Sequence, residues 1–111
     1  MQTDDRIRLQ HMLDAAHEAL MSSSGHSRDD LASNRVLSLA LVKDLEIIGE
    51  AAAHVTEATR TSLPEVPWRD VIAMRNRLIY GYFHIDIDRV WATLLVDLPP
   101  LVGALEAALS R

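Results

Sequence analysis

Arg75-Asn76-Arg77-Leu78-Ile79-Tyr80-Gly81-Tyr82 gathers most of the chemistry this sequence offers. It holds two guanidinium groups, a carboxamide and two phenols, and His84 follows two residues later. A guanidinium donates two hydrogen bonds from a planar fork, which suits phosphate or carboxylate oxygens. Proton transfer works best from a group whose pKa lies near the operating pH. Histidine titrates near 6.5 and tyrosine near 10, so a phenol is a poor base at neutral pH but still donates a proton. The segment therefore suits binding a phosphate, with proton transfer beside it. His11, His17, His26 and His54 have no ligand-like spacing and read as surface or boundary residues.

The rest of the chain must position these groups. At 111 residues it reads as one domain, 1–111, large enough to bury a core without staples. Hydrophobic residues make up 49% and charged residues 24%, ordinary values for a folded soluble protein. Without cysteine, disulfides and thiolate metal sites are excluded, which fits the cytoplasm. The N-terminus is polar and acidic, unlike a signal peptide, and no apolar run approaches the roughly 18–20 residues of a membrane span. A net charge of −5 is wrong for coating nucleic acid through bulk charge. It permits a local basic site: Arg69, Arg75 and Arg77 lie near a single acid, Asp70, and dimerisation would double such a patch.

Strand signals are weak, and four longer segments carry helical periodicity. The first starts at Thr3, an N-cap candidate, with Asp4 and Asp5 in its first turn. Leu9, Leu13, Ala16 and Leu20 form its stripe, and Ser22 to Gly25 stops it. The second runs from Ser27–Asp30 to about Val55. Its stripe of Leu37, Leu41, Leu45, Ile48, Ala52 and Val55 is widened by Val36, Leu39, Val42 and Ile47. A helix so apolar around its circumference is covered on more than one side, and in so short a chain a second subunit is a natural cover. Pro64 and Pro67 mark a connector before a third long helix from Trp68. Asp86 reads as the N-cap of the last, whose stripe from Val90 to Leu109 crosses Pro99-Pro100, predicting a kink or a split there. The expected fold is all-α, an antiparallel bundle of four main helices forming a homodimer.

At about 100° per residue, Arg75 falls among Trp68, Val71, Ile72, Ile79 and Tyr82 on the packed side of the third helix, and Arg77 points nearly the opposite way. A packed guanidinium needs an acceptor. Glu46 and Glu50, one turn apart on the second helix, are the candidates. Two readings of Arg75 stay open at this point: a structural ion pair, or a guanidinium facing phosphate. Arg75 and Tyr80 diverge by about 140° on one straight helix, so they meet only in a cleft between elements or between subunits.

Leu45 to Ala51, Pro67-Trp68-Arg69, Met74 to Ile79, Gly81-Tyr82-Phe83 and the run from Val90-Trp91 to Pro99 together resemble the HEPN-domain proteins of the HepT-like branch, toxins of HEPN/MNT toxin–antitoxin pairs. The resemblance covers almost the whole chain. It implies an all-α homodimer whose two motifs face each other across a cleft and cleave RNA without a metal or other cofactor. It also implies a nucleotidyltransferase antitoxin that transfers AMP to a tyrosine. Carried over, the motif's arginine is Arg75, its polar residue Asn76 and its modified tyrosine Tyr82. Tyr80 stands where the family has histidine, and His84, the histidine closest in sequence, reads either as a loop or helix-entry residue or as a substitute catalyst that handles protons. The expected function is an RNA endonuclease weakened at its proton-transfer position. The alternative is a non-catalytic dimeric module that binds a nucleotidyltransferase.

Overall fold

A computed structural model describes residues 1–80 and 84–111. Helix α1 (Thr3–Ser23) opens the chain, followed by α2 (Arg28–Ser33), α3 (Arg35–Ala53), α4 (Glu57–Ser62) and α5 (Trp68–Met74). A two-stranded antiparallel hairpin, β1 (Ile79–Tyr80) with β2 (His84–Ile85), leads into α6 (Ile87–Ala92). A π-helical segment, Thr93–Asp97, joins α6 to α7 (Leu98–Leu109). The fold is all-α apart from the hairpin.

Helices α1 and α3 pack side by side, with α7 against α1 and α5 against α3. Leu9, Met12, Ala16 and Ala19 of α1 meet Leu41, Leu45, Ile48 and Ala52 of α3 in the core, which Leu94, Leu98, Leu101 and Leu105 complete. Each fully buried leucine contributes about 1.5–3 kcal/mol. The alanines stabilise differently, by letting the backbones approach closely.

Several expectations need correction. The first helix begins at Thr3, but the residue before it, Gln2, occupies the cap and makes no side-chain bond. The long second helix is two helices. Asn34 adopts an extended conformation, ends α2, and caps α3 by accepting from the Leu37 amide at 3.0 Å. This competition between a short polar side chain and the helical backbone is what favours asparagine at caps. The connector after Ala53 holds a further short helix, α4, capped by Thr56. The third helix stops at Met74 rather than running on to Tyr82, and weak strand signals gave way to a hairpin. Just before the proline pair the last helix changes from α- to π-helical at Thr93–Asp97, and Pro99 and Pro100 fall in the first turn of α7, where their missing N–H groups cost little. Asp86 does cap α6, accepting from the Arg89 amide at 3.0 Å.

The helical stretch Ile87–Leu109 contains an 18-residue window of mean hydropathy 1.5 and, by length and composition, could cross a membrane. This differs from the expectation of no such run. Here its apolar face is a core face, with Leu94, Leu98, Leu101 and Leu105 buried in the bundle.

Val36, Leu39 and Ile47 remain exposed and share one stripe of α3 with Lys43 and Glu50. Val42, by contrast, turns into the core.

Asp44 of α3 is a buried carboxyl facing Glu18 of α1. Burial, then the Glu18 charge, push its pKa up to about 6. An acid whose pKa is raised on folding destabilises the folded state once ionised. Stability therefore falls as pH rises from about 4 to 6, and the cost is fully present at pH 7 and above. Asp44→Asn should stabilise the protein by about 1–3 kcal/mol at pH 8, and the gain should vanish below about pH 4. Urea melts at the two pH values check this; an equal effect at both would contradict it.

Candidate functional site

The carboxyl-terminal end of α5 lies against α3, and one glycine permits it. A methyl group built on Gly49 would sit 3.2 Å from both the Arg75 Cβ and the Val71 carbonyl oxygen. The absence of a side chain at Gly49 therefore sets how closely Arg75 approaches α3. Arg75 ends the helix, and Asn76 and Arg77 follow in a tight turn, their amides donating to Ala73 and Met74 carbonyls at 3.0 Å each. Leu78, fully buried, anchors the end of that turn in the core.

Nη1 of Arg75 donates to Glu50. The arginine side chain is 35% exposed and the glutamate 59%, so this is a half-open ion pair at the surface of the bundle. Glu50 also faces His54 at 3.6 Å. Glu46, one turn earlier, has no ion pair among the described residues. It lines a shallow cleft with Arg8, His11, Lys43 and Glu50. Arg75 and this cleft are thus joined through Glu50.

Arg77 goes the other way. It is exposed and lines a separate cavity of 340 Å³ with Asp70, Met74, Arg89 and Thr93. The two arginines serve different surfaces, as their angular separation implies.

The hairpin decides where the proton-handling candidates lie. In its register Ile79 faces Ile85 and Tyr80 faces His84. The Asp86 amide donates to the Leu78 carbonyl at 2.7 Å and closes the hairpin's base. The Tyr80 and His84 rings stack with centroids 5.6 Å apart and planes 18° apart. Both side chains are exposed. The helical angle between Arg75 and Tyr80 has no meaning here, because they stand on different elements. Ile79, placed by that angle on the packed face, is 42% exposed.

Tyr82 lies outside the described residues. His11, His17, His26 and His54 are all exposed. Among the described residues, no three histidine or acidic side chains group as metal ligands.

Two features escaped the sequence reading. The close approach at Gly49 is signalled only by a glycine inside an otherwise apolar helix. The Tyr80–His84 pairing had a stronger signal: Leu78 to Ile85 is rich in aromatic and β-branched residues around a central glycine, a hairpin pattern.

Residues 12–108 match the family model described as ribonuclease HepT-like. The chain belongs to the HepT-like ribonuclease family. It is 32% identical to "Putative RNase TTE0752" of Caldanaerobacter subterraneus subsp. tengcongensis, over 96% of this chain and 95% of that one. It is 36% identical to "Probable ribonuclease HepT" of Thermococcus cleftensis, over 70% and 71% of the two chains. It is 29% identical to "Putative RNase MJ1380" of Methanocaldococcus jannaschii, over 93% and 94% of the two chains. No solved structure matches the chain. Membership of the HepT-like family supports a ribonuclease-type function and RNA as the class of substrate.

Proposed function

We propose that this HepT-like chain is a single HEPN domain, residues 1–111, and the toxin of a HEPN/MNT pair: a cytoplasmic, metal-independent RNA endonuclease that works as a homodimer. The observation that carries the reading is the placement of Arg75, at an exposed helix end, half open to solvent and held by one carboxylate. In the reaction, the ribose 2′-hydroxyl attacks the adjacent phosphate in line and the 5′-oxygen leaves. Arg75 stabilises the charge that builds on the phosphate. Asn76, exposed beside it, orients the phosphate. Tyr80 occupies the family's histidine position and donates a proton to the leaving oxygen.

The homodimer has its own support. Val36, Leu39 and Ile47 share the exposed stripe of α3 with Glu50, the partner of Arg75. A second copy seated on this stripe covers the apolar side chains and brings two Arg75 sites to one interface.

The antitoxin is a nucleotidyltransferase that silences the toxin by transferring AMP to Tyr82. Mass spectrometry of the toxin after co-expression with the transferase should find AMP on that tyrosine; AMP on another residue alone would sink the assignment.

A direct test uses purified protein with a chelator, given one single-stranded RNA and the DNA of the same sequence. The RNA should be cut and the DNA left intact, because DNA lacks the attacking hydroxyl. Cleavage of both at one rate would refute the mechanism.

Two observations favour a second reading, a non-catalytic dimer that only binds the transferase: tyrosine at the histidine position, and Glu50 neutralising Arg75. Under that reading the chain binds the transferase but leaves RNA intact.

A further inference from the structure

We propose that His84 is the general base of this site, four residues beyond the motif's histidine position and returned beside it by the β1–β2 hairpin. The inference rests on the ribonuclease reading above and adds the group that reading lacks.

The geometry carries it. Antiparallel pairing sets His84 directly opposite Tyr80, and side chains at such a position emerge on the same face of the hairpin. Their rings stack 5.6 Å apart at 18°. The replacement of histidine by tyrosine therefore does not empty the position of imidazole; it moves the imidazole across one strand spacing. Stacking fixes the plane of the ring but leaves its nitrogens unused, since they point outward in that plane. Among the described residues, neither nitrogen of His84 has a hydrogen-bond partner. His17, His26 and His54 instead face Glu106, Asp30 and Glu50, and lie on α1, before α2 and at the end of α3. His84 is exposed, so a ribose can reach it.

The step balances without a further reactant. Neutral imidazole takes the proton of the 2′-hydroxyl as that oxygen bonds to phosphorus. The bond from phosphorus to the 5′-oxygen breaks, and the leaving oxygen takes the phenolic proton of Tyr80. Water carries the proton from imidazolium back to phenolate and resets both residues. The products are a 2′,3′-cyclic phosphate and a 5′-hydroxyl. Tyr80 thus has two tasks, to hold the imidazole by stacking and to act as the acid.

The test compares single-stranded RNA cleavage by the wild-type chain, His84→Ala, His84→Ala with Tyr80→His, and Arg75→Ala, each shown to be folded by circular dichroism. His84→Ala should lower kcat by about 10²–10⁴-fold and remove the acidic limb of the pH–rate profile. Adding Tyr80→His to it should restore the acidic limb and part of the rate, because an imidazole returns to the same hairpin face while the phenol that serves as the acid is gone. Wild-type cleavage and pH profile in His84→Ala, with Arg75→Ala inactive, would overturn the proposal and leave the ribonuclease reading standing. A lower rate with the acidic limb unchanged would also overturn it, giving His84 a structural role. A wild-type chain that leaves RNA uncut overturns both.

Discussion

Arg75→Ala is expected to lower RNA cleavage by about 10²–10³-fold, the usual cost of removing one donor aimed at developing negative charge. The same substitution should cost little stability. The Arg75–Glu50 pair is open to water on both sides, and pairs of that kind contribute about 0–1 kcal/mol. Stability alone is thus a weak reason to keep an arginine here. The comparison of magnitudes weighs between the two readings left open by the sequence. A structural ion pair predicts the reverse pattern, with a large fall in melting temperature and unchanged turnover. Arg75→Lys adds a control. It keeps the charge but loses the planar fork, so most of the activity should still be lost. Turnover and thermal melts on the same preparations check both variants.

The second large effect is on the fold. Asp5 is almost fully buried at the start of α1, where it clamps α4. Its Oδ1 accepts from the Thr56 amide at 3.0 Å, and its Oδ2 accepts from the Thr56 and Thr59 hydroxyls at 2.5 and 2.6 Å. Burial pushes this carboxyl up, yet the hydrogen bonds from Thr56 and Thr59 outweigh it and hold the pKa below the usual value. Asp5→Ala strips three donors of their acceptor and should cost about 2–4 kcal/mol. That is a large fraction of the roughly 5–15 kcal/mol that holds a domain together. The sign of the pH dependence follows. A carboxyl depressed on folding stabilises fully above its unfolded pKa near 3.8, and the contribution is lost as pH falls through the lower folded value. Urea melts should therefore separate wild type from Asp5→Ala most widely at pH 7 and show a narrower gap in strong acid, where the protonated carboxyl still accepts from the threonines but no longer as an anion. A constant gap down to pH 2 would contradict this.

Much of the architecture was legible because burial leaves a periodic trace. The stripes Leu9–Leu13–Ala16 and Leu41–Leu45–Ile48 are core faces in the structure, and Asp86 is a cap. The breaks were less legible. Asn34 interrupts an apolar stripe that runs on either side of it, so periodicity alone joins α2 to α3. Helix α5 stops at Met74 with neither proline nor glycine to mark the place; the turn is held by burial of Leu78 and by the hairpin beyond it, both tertiary effects. The wheel drawn through Tyr80 was wrong for that reason. The separation of Arg75 from Arg77 survived, since Arg77 follows only two residues later in the tight turn. The pairing of Tyr80 with His84 depends on strand register, which a helical reading has no means to express.

The most direct test is the chemistry of the ends that cleavage leaves. A defined single-stranded RNA is incubated with wild-type protein in the presence of a chelator, beside Arg75→Ala, and the fragments are weighed by mass spectrometry. Attack by the 2′-hydroxyl predicts fragments ending in a 2′,3′-cyclic phosphate and starting with a 5′-hydroxyl, formed by the wild-type chain and scarcely by Arg75→Ala. Fragments carrying 5′-phosphates, or equal cleavage by the two proteins, would contradict it.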